Sequence, residues 1–287
     1  YLYSRSLPLT VPVDIMLELA SSCNMRCVYC YHADQEHLPF MRGLMKTKMA
    51  MDILAEAAHL GVNSLKFNYR GEATLHPDYE VITRFAKDRA HGSVFIDRIA
   101  NSNFKISPGR REMVFKGLSH LTKVKVSYDS FNAKVFETQR TGGIHALTTD
   151  NIDLFYNHPE RIKSETEIVI QAVRTKLNAN EDIEGQARRR WPESYISIRD
   201  MVGGRVDKDL SSVSTRERDS GNRQPCLQAF ARIIVHQDGR CGPCCPSIKN
   251  DLLIGDVRSL SLSEIFNGIQ AKQLRKDLKS GKAFELD

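Results

Sequence analysis

The sequence predicts an α/β fold built on a parallel β-sheet, and three observations support this prediction. Strand-like apolar segments alternate with helix-like amphipathic segments between residues 14 and 199. Strand–helix–strand units of this kind pack as parallel strands joined by right-handed crossovers, in either a partial barrel or a doubly wound sheet. The chain has 287 residues, of which 41% are hydrophobic, so it can bury a large core.

Each element is predicted from hydrophobic periodicity and from the residues that end helices. The first strand, at residues 14–20, leads directly into a loop that contains three cysteines. The first helix, at residues 46–59, is followed by Gly61, which is typical of a helix end. The alternation continues with strands at 64–69, 93–99, 123–127, 165–173 and 195–199 and with helices at 79–90, 110–117, 144–156 and 181–190.

A change of composition after Met201 predicts a second, smaller unit. Residues 211–224 are polar and almost free of apolar side chains, which indicates a linker or a long surface loop. A strand at 231–236 and an amphipathic helix at 261–279 follow it. We therefore predict one domain at residues 1–204 and a small cysteine-rich module at residues 205–287.

The charge pattern does not favour a nucleic-acid partner. The net charge of +6 arises from 41 basic and 35 acidic residues interleaved along the chain, and the basic run at 188–190 is typical of a solvated helix end. No apolar stretch reaches the length of a membrane span, about 18 residues, and no secretory signal is recognised near Tyr1. We expect a cytoplasmic protein without a membrane partner.

The cysteines form two groups with ligand-like spacing. An odd number of thiols in a chain without a secretory signal favours metal binding over a disulfide framework. The predicted metal ligands are Cys23, Cys27 and Cys30 in the first group and Cys226, Cys241, Cys244 and Cys245 in the second.

The first group suits a cluster with one open coordination position. Thiolates at this spacing select zinc, copper(I) or iron–sulfur centres. A structural zinc site needs four protein ligands, and only the loosely placed His32 and His37 are near, so a zinc knuckle is the less favoured alternative. With three cysteines, one iron of a [4Fe–4S] cluster remains open to a substrate or cofactor.

The segment from Cys23 to Cys30, CNMRCVYC, resembles the CxxxCxφC signature of the radical S-adenosylmethionine (SAM) superfamily, in which φ is an aromatic residue. The resemblance implies that Cys23, Cys27 and Cys30 hold a [4Fe–4S] cluster whose open iron chelates the amino and carboxylate groups of SAM. It places Tyr29 near the adenine. For the fold, it implies a partial (β/α)6 TIM-like barrel over about residues 14–199.

Further segments that follow successive predicted strands resemble other motifs of this superfamily. Gly71 and Glu72 resemble the GGEP-like turn that binds the SAM amino group. Ser102 and Asn103 resemble a Thr-Asn-Gly turn, although Phe104 replaces the glycine. All lie at carboxyl ends of strands, where barrel-type α/β proteins assemble their active sites.

The fourth and fifth predicted strands supply the remaining cofactor residues. Ser127 and Asp129, followed by Arg140, resemble a motif in which the Ser and Arg contact the SAM carboxylate and the Asp lies nearby. Taken alone, Arg140 is more typical of an exposed helix arginine. Gln171 is predicted either to face the ribose or to be a buried core amide.

The second cysteine group, together with Gly239 and the helix near residue 261, resembles the start of a SPASM or twitch domain. The resemblance implies an auxiliary [4Fe–4S] or [2Fe–2S] cluster. No further cysteine follows, so the alternatives are the shorter twitch form or residues missing beyond Asp287. The CxxC of Cys241 and Cys244 also suits zinc or a redox dithiol. Cys245 is the predicted spare, because adjacent side chains of an extended chain point in opposite directions.

The resemblance implies an enzyme, a radical SAM oxidoreductase or maturase that cleaves SAM to a 5′-deoxyadenosyl radical. Our first hypothesis is oxidation, crosslinking or epimerisation of a peptide or protein. The second is a dehydrogenase or epimerase of a small carbohydrate or aminocyclitol, and the third a non-enzymatic metal-binding protein. A reducing partner such as flavodoxin or ferredoxin is expected. No acid or base residue is identified; Tyr128, Arg70 and Arg174 suit either substrate contacts or structural roles.

Overall fold

A nine-stranded β-sheet runs through the computed structural model, which describes residues 9–30, 42–201, 211–215, 227–243 and 252–280. In chain order the strands are β1 (Asp14–Leu17), β2 (Ser64–Lys66), β3 (Asp97–Ser102), β4 (Lys123–Ser127), β5 (Glu167–Arg174), β6 (Tyr195–Asp200), β7 (Arg232–Val235), β8 (Arg240–Gly242) and β9 (Gly255–Asp256). Their order across the sheet is β6-β5-β4-β3-β2-β1-β7-β8-β9. Strands β1 to β7 pair in parallel, and β8 and β9 add antiparallel pairs. This confirms the predicted α/β class and the partial (β/α)6 TIM-like barrel.

Helices lie between the strands of the barrel and in the carboxyl-terminal part of the chain. They are α1 (Thr47–His59), α2 (Tyr79–Lys87), α3 (Arg111–Ser119), α4 (Ala133–Gln139), α5 (His145–Tyr156), α6 (Pro159–Lys163), α7 (Ile183–Arg190), α8 (Gln228–Ala231), α9 (Leu262–Asn267) and α10 (Ile269–Ser280). Within the described ranges, no helix is long and apolar enough to cross a membrane.

Alternation along the strands separates the core from the concave face. Ile15, Leu65, Val124 and Val126 are fully buried and belong to the cluster that packs against the helices. Their neighbours in the strands point to the opposite face, because successive side chains alternate across a sheet. The concave face of the partial barrel is therefore lined by the other residues of the strands.

The structure differs from the sequence prediction at several element boundaries. Strand β3 begins four residues later than predicted, because Gly92 and Phe95 take positive φ values of 53° and 51° in the preceding turn. The helix predicted at 261–279 is two helices, since Gly268 has an extended ψ of 165°. Helices α4 and α6, which are only seven and five residues long, were not predicted. Gly61 has a φ of 74°, as expected of a helix end.

Strand β7 belongs to the predicted second module but pairs directly with β1. Asp14 lies opposite Arg232, and the Arg232 Nη2 donates to Asp14 Oδ2 at 2.7 Å across 218 residues of sequence. The carboxyl-terminal part therefore extends the same sheet. The domain boundary between residues 204 and 205 remains a prediction.

Candidate cofactor site

The cysteine loop, residues 23–30, leaves the sheet at the carboxyl end of β1. The turn after α4 holds it through two backbone hydrogen bonds, from Arg26 N to Thr141 O at 2.7 Å and from Val28 N to Gln139 O at 2.9 Å. The thiols of Cys23, Cys27 and Cys30 are partly exposed. The loop thus presents three thiols at the edge of the sheet formed by the carboxyl ends of the strands.

Two nitrogen donors approach the cysteine sulfurs. Asn103 Nδ2 lies 3.8 Å from Cys23 Sγ, and Arg140 Nη1 lies 3.8 Å from Cys27 Sγ. Hydrogen bonds to ligand sulfurs set the reduction potential of iron–sulfur clusters. Burial raises the pKa of Cys23 to about 11, with a further contribution from Glu72, and burial also raises the pKa of Cys27. Metal binding must therefore displace protons from these thiols.

Within the described ranges, no three His, Cys, Asp or Glu side chains converge so as to hold one metal ion. In an iron–sulfur cluster each cysteine binds a different iron, so the sulfurs stand further apart than the ligands of one zinc ion.

A buried ion pair lies next to the cysteine loop and contacts Cys27 and Tyr29. Asp129 is fully buried; its Oδ1 accepts from Arg140 Nη2 at 3.0 Å and from Val173 N at 2.8 Å, and its Oδ2 lies 2.9 Å from Arg140 Nε. The Tyr29 hydroxyl donates to the same carboxylate. Burial raises the pKa of Tyr29 well above its usual value, so its hydroxyl keeps its proton. Tyr29, Asp129, Arg140 and Cys27 therefore form one connected network.

Glu72 is a buried carboxylate without a cation partner among the described residues. It is 4% exposed and accepts from Thr74 Oγ1 at 2.7 Å and from Asn103 N at 2.8 Å. Burial raises its pKa, because no nearby positive charge compensates the desolvation of the carboxylate. An ammonium group would supply that charge, so Glu72 fits the SAM amino group that the resemblance assigns to it.

Gly71 lies against the backbone that leads into the cysteine loop. A Cβ at this position would stand 2.2 Å from Ala20 O and 2.4 Å from Ser22 O. We expect Gly71→Ala to displace the loop, at a cost of about 1–3 kcal/mol of overpacking, and to lower the iron content after reconstitution. Gly109→Ala, where a Cβ meets nothing within 4 Å, is the matched control. Equal iron content in the two variants would contradict the expectation.

The turn after β3 explains the missing glycine of the Thr-Asn-Gly pattern. Phe104 has a φ of 54°, the left-handed conformation that favours glycine. Its amide donates to Ser102 Oγ at 3.2 Å, and its fully buried ring lies 5.6 Å from that of Phe155. Burial of the ring offsets the backbone strain, so the turn keeps its shape without glycine.

Ser127 and Gln171 lie side by side on the concave face. Ser127 is the last residue of β4 and is paired in register with Gln171 in the middle of β5. Both side chains are half-buried. Neither side chain makes a hydrogen bond to another described residue, which leaves both able to contact a ligand. Of the two alternatives for Gln171, the concave face agrees with the ligand-facing one.

Tyr128, Arg70 and Arg174 have structural partners. The Tyr128 hydroxyl lies 2.8 Å from His145 Nε2 in the helix-side core. Arg70 binds Glu18 through two hydrogen bonds of 2.7 Å, and Arg174 Nη1 donates to three backbone carbonyls between residues 178 and 181. These contacts favour the structural role for each.

Two supporting residues were not singled out in the sequence. Asn24 Nδ2 donates to Lys105 O at 2.8 Å, and Lys105 Nζ donates to Asn24 O at 3.1 Å. Asn103 Nδ2 also donates to Asn24 Oδ1 at 2.7 Å, so hydrogen bonds hold the cysteine loop against the turn after β3. In the sequence, the position of Asn24 between Cys23 and Cys27 could have indicated this supporting role.

Most of the second cysteine group lies outside the described residues, namely Cys226, Cys244 and Cys245. Cys241 lies on β8, fully buried, and its thiol contacts Gly239 O at 3.6 Å. Burial raises the pKa of this thiol. The assignment of ligands to an auxiliary cluster remains a prediction from the sequence.

Comparison with known proteins identifies the carboxyl-terminal part. Residues 226–285 match the SPASM family, an iron–sulfur cluster-binding domain. The chain is 23% identical over 214 residues to an S-adenosylmethionine-dependent nucleotide dehydratase of Flammeovirga pacifica, a match that covers 72% of this chain and 69% of that protein. It is 24% identical over 282 residues to a probable GTP 3′,8-cyclase of Methanocella arvoryzae, over 88% and 86% of the two chains.

The fold is shared with a solved structure. Streptococcus suis SuiB bound to its precursor peptide SuiA matches with a TM-score of 0.69 at 14% identity, over 93% of this chain and 67% of that one. At this identity, the likeness shows the fold alone. The chain is thus similar to radical SAM enzymes in the motif around Cys23, Cys27 and Cys30 and in its two sequence relatives, and residues 226–285 match the iron–sulfur SPASM domain. These findings indicate an enzyme with SAM and iron–sulfur clusters as its cofactors.

Proposed function

We propose that this protein cleaves SAM reductively and removes a hydrogen atom from an organic substrate on the concave face of the barrel. The observation that carries the proposal is the convergence of four motifs at one sheet edge. The thiols of the cysteine loop contact Asn103 and Arg140, and Asn103 N binds the buried Glu72. Soft ligands, donors to sulfur and an uncompensated carboxylate are what a cluster with bound SAM requires.

Each residue of the site has a defined task in this proposal. When bound, the cluster and SAM supply the 5′-deoxyadenosyl radical that abstracts hydrogen. Glu72 accepts from the SAM ammonium, and Ser127 and Arg140 donate to the carboxylate. Arg140 Nη1 and Nη2 each make one contact, with Cys27 and Asp129, so each nitrogen keeps one N–H group for a ligand. Tyr29 lies beside the adenine and Gln171 beside the ribose, and a flavodoxin- or ferredoxin-type protein donates the electron.

Two substrate classes have support. The shared fold with SuiB, which is solved with a precursor peptide, supports oxidation, crosslinking or epimerisation of a peptide or protein. The names of the two sequence relatives support a small molecule of nucleotide type instead. The carboxyl-terminal cysteines, with Cys226 and Cys244 as the first ligands to test, would hold an auxiliary cluster that takes up an electron or binds substrate.

Anaerobic reconstitution tests the proposal. We expect iron and sulfide equivalent to more than one cluster per chain, an electron paramagnetic resonance signal that changes when SAM is added, and 5′-deoxyadenosine formed under dithionite. Stimulation by a peptide panel or by a nucleotide panel would separate the two substrate classes. Zinc in place of iron, or no 5′-deoxyadenosine, would refute the proposed function.

A further inference from the structure

The concave face of the barrel carries several cations at mid-height. Lys125 on β4 lies in register between Asn101 on β3 and Val169 on β5. Arg199 on β6 lies in register with Val173, one layer above the pair formed by Gln171 and Ser197. The sheet alternation places Lys66 of β2 on the same face. None of the three cations, Lys66, Lys125 and Arg199, was singled out in the sequence.

Four carboxylates on this face are paired with cations, and a fifth, the exposed Asp97 at the start of β3, acts on Lys123. Asp14 binds Lys66 and Arg232, and Glu167 binds Lys123 at 2.9 Å. The two nearer the cofactor site are also paired, Glu18 with Arg70 at 2.7 Å and Asp129 with Arg140. Each of these four anions therefore has a cation of its own, and none of them faces Lys125 as a partner.

Lys125 forms no ion pair or hydrogen bond with a described residue, although it is half-buried. Burial lowers its pKa, and the neighbouring charges of Arg199, Lys66 and Lys123 lower it further. Arg199 is exposed and likewise forms no ion pair within the described part of the chain. Placing an unpaired ammonium among other cations costs free energy, and such groups are typical of sites that bind an anion.

The surroundings of Lys125 are suited to a small polar ligand. Asn101, Gln171 and Ser197 are half-buried on the same face, and their side chains form no hydrogen bonds to described residues. Ser127 follows Lys125 by two residues on the same face, which places the lysine about 7 Å below the proposed SAM carboxylate site. An anionic group at Lys125 would thus direct the rest of a ligand toward the cofactor.

We propose that Lys125, assisted by Arg199, binds a phosphate group of a small-molecule substrate on the concave face. The inference rests on the proposed function and names the substrate class for that site. It selects a phosphorylated small molecule over a peptide, because two cations without an ion-pair partner among the described residues and the amides of Asn101 and Gln171 match phosphate oxygens. The SAM carboxylate has its own donors in Ser127 and Arg140.

Equilibrium binding to the reconstituted protein, without reductant, tests this proposal. The probes are GTP, guanosine, inorganic pyrophosphate and an acidic peptide. We expect GTP and pyrophosphate to bind, and Lys125→Met to weaken both by about tenfold to hundredfold, as for loss of one charge-assisted hydrogen bond. Lys125→Arg should restore most of the affinity. Guanosine should bind weakly to both proteins.

Lys123→Met is the matched control, since Lys123 lies on the same strand and face but is paired with Glu167. We expect it to leave GTP binding unchanged. The Lys125→Met protein should keep its iron content and melt at the same or a higher temperature, because an unpaired buried charge is removed. Equal binding of GTP by wild type and Lys125→Met, stronger binding of the acidic peptide than of GTP, or destabilisation by Lys125→Met would overturn the proposal. Binding is measured without SAM cleavage, so its failure is distinct from failure of the proposed function.

Discussion

Replacement of Cys27 by Ala is expected to reduce 5′-deoxyadenosine formation to the level of the reaction without protein. Two remaining thiolates in the cysteine loop cannot hold a cluster with a single open iron, and the donor contact from Arg140 Nη1 loses its sulfur. The fold should persist, because backbone hydrogen bonds from Arg26 and Val28 hold the loop without the thiol. Chromatography of 5′-deoxyadenosine under dithionite, with iron analysis, measures the effect.

Cys245→Ala provides the comparison for this variant. It removes one thiol from the group in which Cys245 is the predicted spare, and SAM cleavage should remain at the wild-type level. If Cys27→Ala retained cleavage, the assignment of the cluster to the amino-terminal cysteines would be wrong.

Replacement of Arg140 by Met is expected to destabilise the protein by about 3–5 kcal/mol, the cost of leaving one partner of a buried ion pair without its counterion. Asp129 is fully buried, and the N–H of Val173 and the Tyr29 hydroxyl would be its remaining donors. Denaturant unfolding of the protein without metal, under anaerobic conditions, measures the loss. The same variant should also load its cluster poorly, since Cys27 loses its donor.

The double variant Asp129→Asn with Arg140→Met separates charge from packing. Removing the buried carboxylate together with its partner should recover much of the lost stability, because no unpaired charge remains. A double variant as unstable as Arg140→Met alone would show that the guanidinium acts through packing. Cluster loading should not recover, because neither replacement restores a donor to Cys27.

Much of the barrel was predictable because its signals are local. The alternation of Lys123, Val124, Lys125, Val126 and Ser127 fixes a half-buried strand, and its predicted bounds are those of β4. Helix α4 was not predicted from the sequence because it has only seven residues. Its start depends on Asn132, whose side chain accepts a hydrogen bond from Val135 N. The late start of β3 depends on positive φ at Phe95, for which a phenylalanine gives no sequence signal.

The cofactor residues could be predicted from the sequence where they belong to motifs. Their ion pairs and hydrogen bonds could not. Arg140 alone resembles a surface arginine, and only the fold shows that it is 6% exposed and paired with Asp129. Lys125 looks like an ordinary polar residue of a strand. Its lack of a partner becomes visible only when the charges contributed by β1, β2, β5 and β6 are placed on one face.

The pairing of β1 with β7 has a consequence for biosynthesis. The cysteine loop leaves the ribosome well before β7, and the sheet edge beside it is completed only when Arg232, 218 residues after Asp14, pairs with it. At 5–20 residues per second, that interval lasts about 10–40 s. During it, one edge of β1 is open to intermolecular pairing and the thiols are exposed to oxidants. Slow translation or oxygen should therefore reduce the yield of active protein before any cofactor is inserted.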